Sequence, residues 1–329
     1  MAKEARHHHY LPQCYLRGFA VGSGKRCRLT VAIIAGKNYF ETNSRNVGGV
    51  RDFNRVEIAG FKPDALEGML ANFEGQVATA LRNVTESRKF DGDDRVFILN
   101  LAALLAVRSP QMREHWRQME EQLMKKMLGL SLASKARWEA QEAAMAKAGK
   151  GPQPGAPTIS YEQMKEFYEK DEYDITLNRE HHIAIEFETH DVVLKALMAR
   201  KWEMHAIASD DVGCFVTTDR PVVLTWNNPE KIPVMYRESP GFGMPDTEVL
   251  FPITKHLVVI GSFEGKEGTV PATTPFVAGA NTRLIHHAFE QMYGPKKVIP
   301  YIGPDWKFYH DRHFLDKWQR FKQKPDEAK

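Results

Sequence analysis

The spacing of apolar residues predicts an N-terminal hairpin, a long helical middle and strands in the C-terminal part of the chain. Residues 26–40 place β-branched and aromatic residues on both sides of a break at 35–38, where Gly36 and Asn38 suit a hairpin turn that needs positive φ. Residues 42–58 mix turn-forming residues with short apolar pieces. They predict a loop with one further short strand.

Helical spacing begins after Pro63. Apolar residues then recur at intervals of three and four: Leu66, Leu70, Phe73, Val77, Leu81 and Val84. A second helix is predicted from about Asp93; its first half is apolar on nearly all sides, which indicates burial, and its second half continues as a polar, exposed helix or helical hairpin. Prolines and glycines interrupt residues 147–157, which predicts a flexible surface linker. Two more helices are predicted at about 161–169 and 180–200.

Residues 202–226 change the pattern to that of a strand, a tight turn and a second strand. The apolar runs 247–253 and 256–262 predict two more strands. A helix is predicted from Asn281 to Met292, since Asn281 is well suited to N-capping. The order of hairpin, helices, antiparallel strands and helix indicates a helix-rich α+β fold, in which the N-terminal hairpin and the C-terminal strands form an antiparallel sheet.

Composition fits a globular protein and narrows the class of partner only slightly. Hydrophobic residues make up 43% and charged residues 26% of the chain. A formal net charge of +3, from 45 basic and 42 acidic residues, permits nucleic-acid binding without predicting it. The three cysteines are far apart and form no CxxC pair, so we predict neither a disulfide framework nor a thiolate zinc site. No apolar run approaches the roughly 18 residues of a membrane span, and we expect no membrane partner and a cytoplasmic location.

The densest group of reactive side chains lies in residues 7–20. This run holds three imidazoles, two phenols, an amide and a guanidinium. In an extended segment His7 and His9 share one face while His8 points to the other, which argues against a metal centre made of these three residues alone. An imidazole here can serve as a general acid or base, or contact an anion. The alternative is that these histidines bond to the backbone and seal the first strand.

Arg108 lies four residues after Leu104, on the apolar side of the second predicted helix. A guanidinium keeps its charge, so burial there demands a carboxylate, carbonyl groups or a bound anion. Glu74, on the preceding predicted helix, is a candidate partner, and Pro110 is expected to kink or open the helix locally. A structural ion pair and a contact to a substrate phosphate are both open interpretations.

Asp219 follows an apolar strand and precedes Pro221 by two residues. Loops just past strand ends commonly display functional side chains, and Asp219 is suited to orient a histidine, bind a metal ion or act as a base. It is equally suited to an Asx turn. His286, four residues after Thr282 on a predicted helix, is a reserve candidate. The chain contains no Walker loop, GxGxxG, HExxH or GxSxG motif.

Four segments occur in the order and spacing of one bacterial family: HHYLPQCYLRGFA, LAALLAVRSPQMR, FVTTDRPV and LFPIT. On these segments the chain resembles the family catalogued as domain of unknown function 4238, from His8 to about Ala288. Cys14 replaces an aromatic residue of the N-terminal pattern. Thr218 and Arg220 depart from the later pattern, while Asp219 matches it.

The resemblance implies a bacterial, intracellular protein. It also implies that the polar motifs belong to a single domain over residues 1–329, with the linker near 147–157 as an insertion. It implies no activity, cofactor or catalytic residue.

We expect the polar motifs to converge into one pocket that hydrolyses a phosphate-containing substrate, a nucleic acid or a nucleotide. The expected catalytic residues are His8, His9 and Asp219. The expected substrate contacts are Tyr10, Gln13, Arg17 and Arg108. Structural or reserve candidates are Glu74, Asn281 and His286.

Two alternatives are open. The first is a non-catalytic ligand-sensing or protein-interaction module, which holds an anion and meets a protein partner through the polar helix after Pro110. The second is a metal-dependent hydrolase with His7 or His9 and Asp219 as ligands. The sequence does not identify a cofactor.

Overall fold

The computed structural model describes residues 6–22, 26–56, 62–151, 155, 157, 159–171, 173–175 and 178–316. Backbone contacts divide the chain into two compact units, Met1–Pro110 with Ala184–Lys329, and Gln111–Ile183. The single domain over residues 1–329 stays a prediction. Residues 152–154 and 156 of the predicted linker lie outside the described part of the chain.

The first unit is built on sheets whose strands pair antiparallel, except that β5 and β10 are parallel. Its described strands are β1 (His7–His9), β2 (Leu29–Ile33), β3 (Asn38–Thr42), β4 (Gly49–Arg51), β5 (Lys201–Ala206), β6 (Thr217–Thr218), β7 (Val223–Trp226), β8 (Thr247–Thr254), β9 (Leu257–Ser262), β10 (Gly268–Pro271), β11 (Gln291–Gly294), β12 (Ile299–Ile302) and β13 (Phe308–Asp311). One sheet has the order β3-β2-β11-β6, so the hairpin β2–β3 pairs with a strand from the C-terminal part. The predicted α+β fold with this antiparallel sheet is confirmed.

The turn of the hairpin β2–β3 differs in one detail from the prediction. The residue with positive φ is Lys37, at 50°, and neither Gly36 nor Asn38 adopts this conformation. β1 and β4 form a separate two-stranded ribbon, which supplies the short strand predicted within residues 42–58.

A second sheet has the order β10-β5-β9-β8-β7 and contains the two strands predicted at 247–253 and 256–262. The strand, turn and second strand predicted in residues 202–226 correspond to β5, the turn at 209–213 and the strands β6 and β7. These strands do not pair with each other, because β9 and β8 lie between β5 and β7, and β6 belongs to the other sheet. Pro221 cannot donate a hydrogen bond to a strand ladder, so the chain leaves one sheet after Thr218 and enters the next at Val223.

The described helices are α1 (Gln13–Arg17), α2 (Ala65–Ser87), α3 (Gly92–Val107), α4 (Pro110–Ser131), α5 (Lys135–Lys147), α6 (Tyr161–Lys170), α7 (Arg179–Met198), α8 (Val234–Arg237) and α9 (Thr274–His287). In α2, the apolar positions that predicted the helix are buried, except that Phe73 is half-buried. The helical spacing of the sequence therefore identified both the element and the face that packs on the core.

The predicted second helix is two helices. α3 ends at Val107, and Pro110 begins α4. Proline lacks an N–H and disfavours helical backbone in the residue before it, so the chain turns between the helices. Arg108 is the C-cap of α3, with φ −114° and ψ 85°, instead of lying on the apolar side of a continuous helix. It is nevertheless buried, with 3% of its surface exposed.

The predicted helix from Asn281 to Met292 begins and ends too late. α9 starts after Thr273, whose hydroxyl accepts the Phe276 N–H, and a proline occupies its first turn. Asn281 is fully buried in the middle of α9, where its amide bonds to three backbone groups: the Val216 N–H and the Cys214 and Pro300 carbonyls. It ties three segments together and is not an N-cap.

The second unit contains α4, α5 and α6. A capping box formed by Ser160 and Gln163 starts α6. α4 exposes five large apolar side chains: Met119, Leu123, Met124, Met127 and Leu130. Within the described residues, no helix combines the length and apolar character needed to cross a bilayer.

Replacing Asn281 with leucine is expected to destabilise the protein by about 3 kcal/mol, because it keeps the volume but leaves three buried backbone groups without their partner. Urea unfolding followed by circular dichroism measures the change. Asn228, which is exposed and makes no capping bond with its side chain, gives the control Asn228→Ala. If Asn281→Leu lowers the free energy of unfolding no more than the control does, the structural role assigned to Asn281 is contradicted.

Candidate functional site

The strand β1 carries its three histidines into different surroundings. His8 is buried, while His7 is exposed and His9 half-buried, as expected for neighbours that point to opposite faces of an extended segment. The Nδ1 of His8 accepts the backbone N–H of Asn54 at 2.8 Å. An accepting Nδ1 carries no proton, so the ring proton of His8 lies on Nε2.

His9 has a partner on each ring nitrogen. Its Nδ1 donates to the Val47 carbonyl at 3.1 Å, and its Nε2 then accepts from the Gln13 amide at 3.1 Å. Burial lowers the pKa of His9 and the neighbouring His7 lowers it further, although the Glu67 carboxylate acts in the opposite direction. His9 is therefore a neutral imidazole at neutral pH.

Asn54 joins the histidine strand to two helices. Its side chain is buried; the amide oxygen accepts from Nη2 of Arg108, and the amide nitrogen donates to Oε2 of Glu67 at 2.6 Å. The Arg108 guanidinium also lies over the Phe53 ring, 5.3 Å from Cζ to the ring centroid. Asn54 thus lies between a buried positive charge and a carboxylate.

Glu74 lies seven residues after Glu67, on the same face of α2. Burial raises the pKa of Glu74 to about 7; the Glu67 carboxylate raises it too, and the Arg108 guanidinium lowers it. Glu74 therefore changes its charge near neutral pH. The Coulombic effect of Arg108 agrees with the expected neighbourhood of these two residues.

The helix α1 extends this cluster towards a pocket. Burial raises the pKa of the Cys14 thiol to about 12, with Glu74 as the next cause, while the Arg17 guanidinium lowers it. Cys14 is therefore within Coulombic range of both charged groups. Arg17 is exposed and lines a pocket together with Arg82 and Lys255.

Asp219 is held by backbone groups of the segment that leads into β11. Its carboxylate is buried and accepts three backbone N–H groups at 2.9, 2.6 and 3.0 Å, those of Phe289, Glu290 and Gln291. Burial raises the pKa of Asp219, and these three bonds lower it. Tyr10 lies within Coulombic range, because the Asp219 carboxylate follows burial among the causes that raise the pKa of Tyr10.

The structure links the expected site residues in two groups. One group contains His8, His9, Gln13, Glu74 and Arg108, with Arg17 beside it. The other contains Tyr10 and Asp219. The Phe53 ring connects the two groups, because it packs on the Tyr10 ring at 6.1 Å between centroids and lies under the Arg108 guanidinium. The convergence of both groups into one pocket stays a prediction. His286 is exposed near the end of α9. The catalytic roles of His8, His9 and Asp219 stay predictions.

Sequence reasoning missed Asn54 and Glu67. Asn54 lies in a loop without periodic pattern, and nothing in the sequence indicates that its side chain meets two distant helices. Glu67 did leave a signal, because its spacing of seven from Glu74 places both carboxylates on one helix face.

A second buried guanidinium is held by backbone carbonyl groups. Arg200 is 1% exposed and donates to the carbonyl oxygens of Thr247, Gly261 and Phe242 at 2.8, 3.1 and 2.6 Å. Burial lowers its pKa to about 10, while the Glu248 carboxylate acts in the opposite direction. Arg108 lies near two carboxyl groups, Glu67 and Glu74, and the pKa of Glu74 is raised to about 7.

The protein is therefore a helix-rich α+β protein in which histidine, asparagine, arginine and glutamate side chains form a polar cluster between β1 and the helices α2 and α3. Among the described residues, no group of three or more histidine, cysteine, aspartate or glutamate side chains is arranged to hold a metal ion. The chain belongs to the family described as "Protein of unknown function (DUF4238)", whose model matches residues 7–297. No curated protein and no solved structure matches the chain.

Replacing Asn54 with alanine is expected to cost about 3 kcal/mol of stability, because the buried Arg108 and the Glu67 carboxylate both lose a hydrogen-bond partner. Urea unfolding measures the loss. Asn100→Ala is the control, since Asn100 is half-buried and bonds only to its own helix through the Val96 carbonyl. Equal losses in the two variants contradict the linking role of Asn54.

Glu74 is expected to make stability fall as the pH rises from about 4.5 to about 7. The pKa in the folded protein is raised from 4.5 to about 7, so the ionised form is disfavoured by folding across this window. Glu74→Gln cannot ionise and is expected to exceed the wild type in stability near pH 8 by on the order of 2 kcal/mol. Urea unfolding across this window tests it; identical pH dependence in both proteins contradicts it.

Proposed function

We propose that the protein is a hydrolase of the bacterial cytoplasm, acting on a phosphate-containing substrate, a nucleic acid or a nucleotide, with Glu74 as its general base. The observation that carries the proposal is the half-buried Glu74 carboxyl, whose pKa is raised to about 7 beside Glu67 and Arg108. A general base works best when its pKa lies near the working pH. Groups with strongly shifted pKa values cluster at active sites.

The proposed reaction needs only water and the substrate. The Glu74 carboxylate takes a proton from a water molecule, and the water oxygen forms a bond to phosphorus. The P–O bond to the leaving group breaks, and the leaving oxygen takes a proton from solvent. Arg108 offsets part of the negative charge that gathers near the reacting group.

His8 and His9 have a positioning role in this proposal. The ring nitrogens of His9 are bonded to Val47 and Gln13, and His8 accepts from Asn54. These bonds fix β1 to Gln13, Val47 and Asn54, and Asn54 in turn donates to Glu67 on the helix that carries Glu74. Asp219, whose carboxylate accepts three backbone N–H groups, holds the chain between α9 and β11.

Glu74→Gln is expected to lower hydrolysis at least about 100-fold, because glutamine cannot accept a proton. The rate of the wild type is expected to rise with pH up to about 7 and then level off. The rate of the variant is expected not to show this rise. The substrates are bis(p-nitrophenyl) phosphate, RNA and DNA oligonucleotides, and nucleoside triphosphates.

Glu264→Gln provides the control, since Glu264 is exposed and lies outside the cluster. Its rate and pH profile should match those of the wild type. If the wild type hydrolyses none of these substrates, the proposed function is contradicted. Full activity of Glu74→Gln contradicts the role of Glu74.

A non-catalytic protein-interaction module is the second candidate. It is favoured by the exposed apolar side chains of α4, among them Leu123 at 53% and Met127 at 56% exposure. The absence of turnover, together with a purified complex that Leu123→Glu and Met127→Glu disrupt, would favour this candidate over the hydrolase.

A further inference from the structure

We propose that the pocket lined by Arg17, Arg82 and Lys255 binds a phosphate group of the substrate other than the one that reacts. That the bound molecule is the substrate rests on the proposed function. That the pocket binds phosphate rests on the geometry of the pocket. The pocket has a volume of about 320 Å³ and lies between α1, α2 and the turn that joins β8 to β9. A phosphate group fits easily in this volume.

The wall that carries Lys255 is built against α1. The Lys255 N–H donates to the Gly18 carbonyl at 3.0 Å, and its Nζ donates to the Ala20 carbonyl at 2.9 Å. A Cβ on Gly18 would lie 3.1 Å from Cγ2 of Thr254 and 3.2 Å from the carbonyl oxygen of Ile253, so glycine permits this close approach. The ammonium group is thus fixed by one bond and keeps two further N–H donors.

The other two cations differ from Lys255 in lying exposed on α1 and α2. Neither Arg17 nor Arg82 forms an ion pair among the described residues, and both are exposed. Three positive side chains therefore line a space to which Glu86 contributes the one carboxylate among the described lining residues. Guanidinium and ammonium groups from three elements suit a phosphate, which accepts several charge-assisted hydrogen bonds.

The pocket also lies on the same face of α2 as the proposed base. Ala78, Arg82 and Thr85 line the pocket, four, eight and eleven residues after Glu74. With a rise of about 1.5 Å per residue, Arg82 lies about 12 Å beyond Glu74 along the helix axis. Cys14 lines the pocket, and the Glu74 charge contributes to the raised pKa of its thiol.

The lining of the pocket assigns it to a second phosphate. Glu74 does not line the pocket, so a phosphate held there is not in contact with Glu74, whereas proton transfer by Glu74 needs hydrogen-bond contact at the reacting group. A substrate that fills both places carries at least two phosphate groups. An oligonucleotide and a nucleoside triphosphate both satisfy this requirement, whereas a simple phosphomonoester does not.

Inorganic phosphate and pyrophosphate are the probes, titrated into the full-length protein while the backbone amides of Gly18 and Lys255 are followed by NMR. Arg82→Gln and Arg17→Gln are each expected to weaken binding about tenfold, which corresponds to about 1.4 kcal/mol. Glu86→Gln is expected to tighten binding, because it removes the carboxylate from the pocket. Added salt should weaken binding, since both guanidiniums are exposed.

Lys297→Gln removes one exposed positive charge far from the pocket-lining residues in sequence and should bind phosphate as the wild type does. Equal affinity in the wild type, Arg17→Gln and Arg82→Gln overturns the inference. A loss that Lys297→Gln shares to the same degree also overturns it, because net charge alone then explains the binding. The two arginine variants are preferred because both side chains are exposed and form no ion pair among the described residues.

The same variants separate this inference from the proposed function. Glu74→Gln should bind phosphate normally, because Glu74 does not line the pocket. If the protein binds phosphate but turns over no substrate, phosphate binding by the pocket is supported and the hydrolase activity is contradicted. If turnover needs Glu74 but KM for oligonucleotides and triphosphates is unchanged in Arg82→Gln, the role of the pocket in substrate binding is contradicted. A raised KM for only one of these substrates identifies which of them supplies the second phosphate.

Discussion

The burial of the Arg108 guanidinium is the constraint on which the candidate site depends. Arginine cannot discharge itself by losing a proton, so its burial at the end of α3 requires partners from the surrounding chain. Asn54 provides one of them, and the same side chain holds Glu67 while its backbone N–H holds His8. One asparagine thus connects β1, the loop before α2, α2 itself and the junction of α3 with α4.

This arrangement gives Glu74 an unusual carboxyl group. A carboxylate beside a cation ordinarily has a lowered pKa, yet Glu67 and burial outweigh Arg108, and the pKa rises to about 7. Arg200, another buried guanidinium, donates to three backbone carbonyl groups and has the Glu248 carboxylate within Coulombic range. Arg108 differs from it by lying near a carboxyl group whose pKa is raised to about 7. Cys14 lies between that group and the cationic pocket at the end of α1.

The sequence predicted the parts of this structure that depend on local pattern. Apolar spacing identified α2 and the hairpin β2–β3, and Pro110 marked the break beside Arg108. Contacts between distant segments escaped it. Asp219 depends on three N–H groups about 70 residues later, and Asn281 is a mid-helix residue whose partners lie on two other segments. Both side chains equally suit local turns and caps, so the sequence favoured the local interpretation. Asn54 carries no periodic signal at all, although it organises the site.

The most direct test of this account is a titration of the Glu74 carboxyl by carbon-detected NMR, with its resonance assigned from Glu74→Gln. A midpoint near 7 is the result that a half-buried carboxyl between Glu67 and Arg108 predicts. The measurement needs no substrate and is independent of any assay for turnover. A midpoint at the ordinary value of about 4.5 contradicts the account, because Glu74 would then be fully ionised at neutral pH and its surroundings would give it no special role as a base.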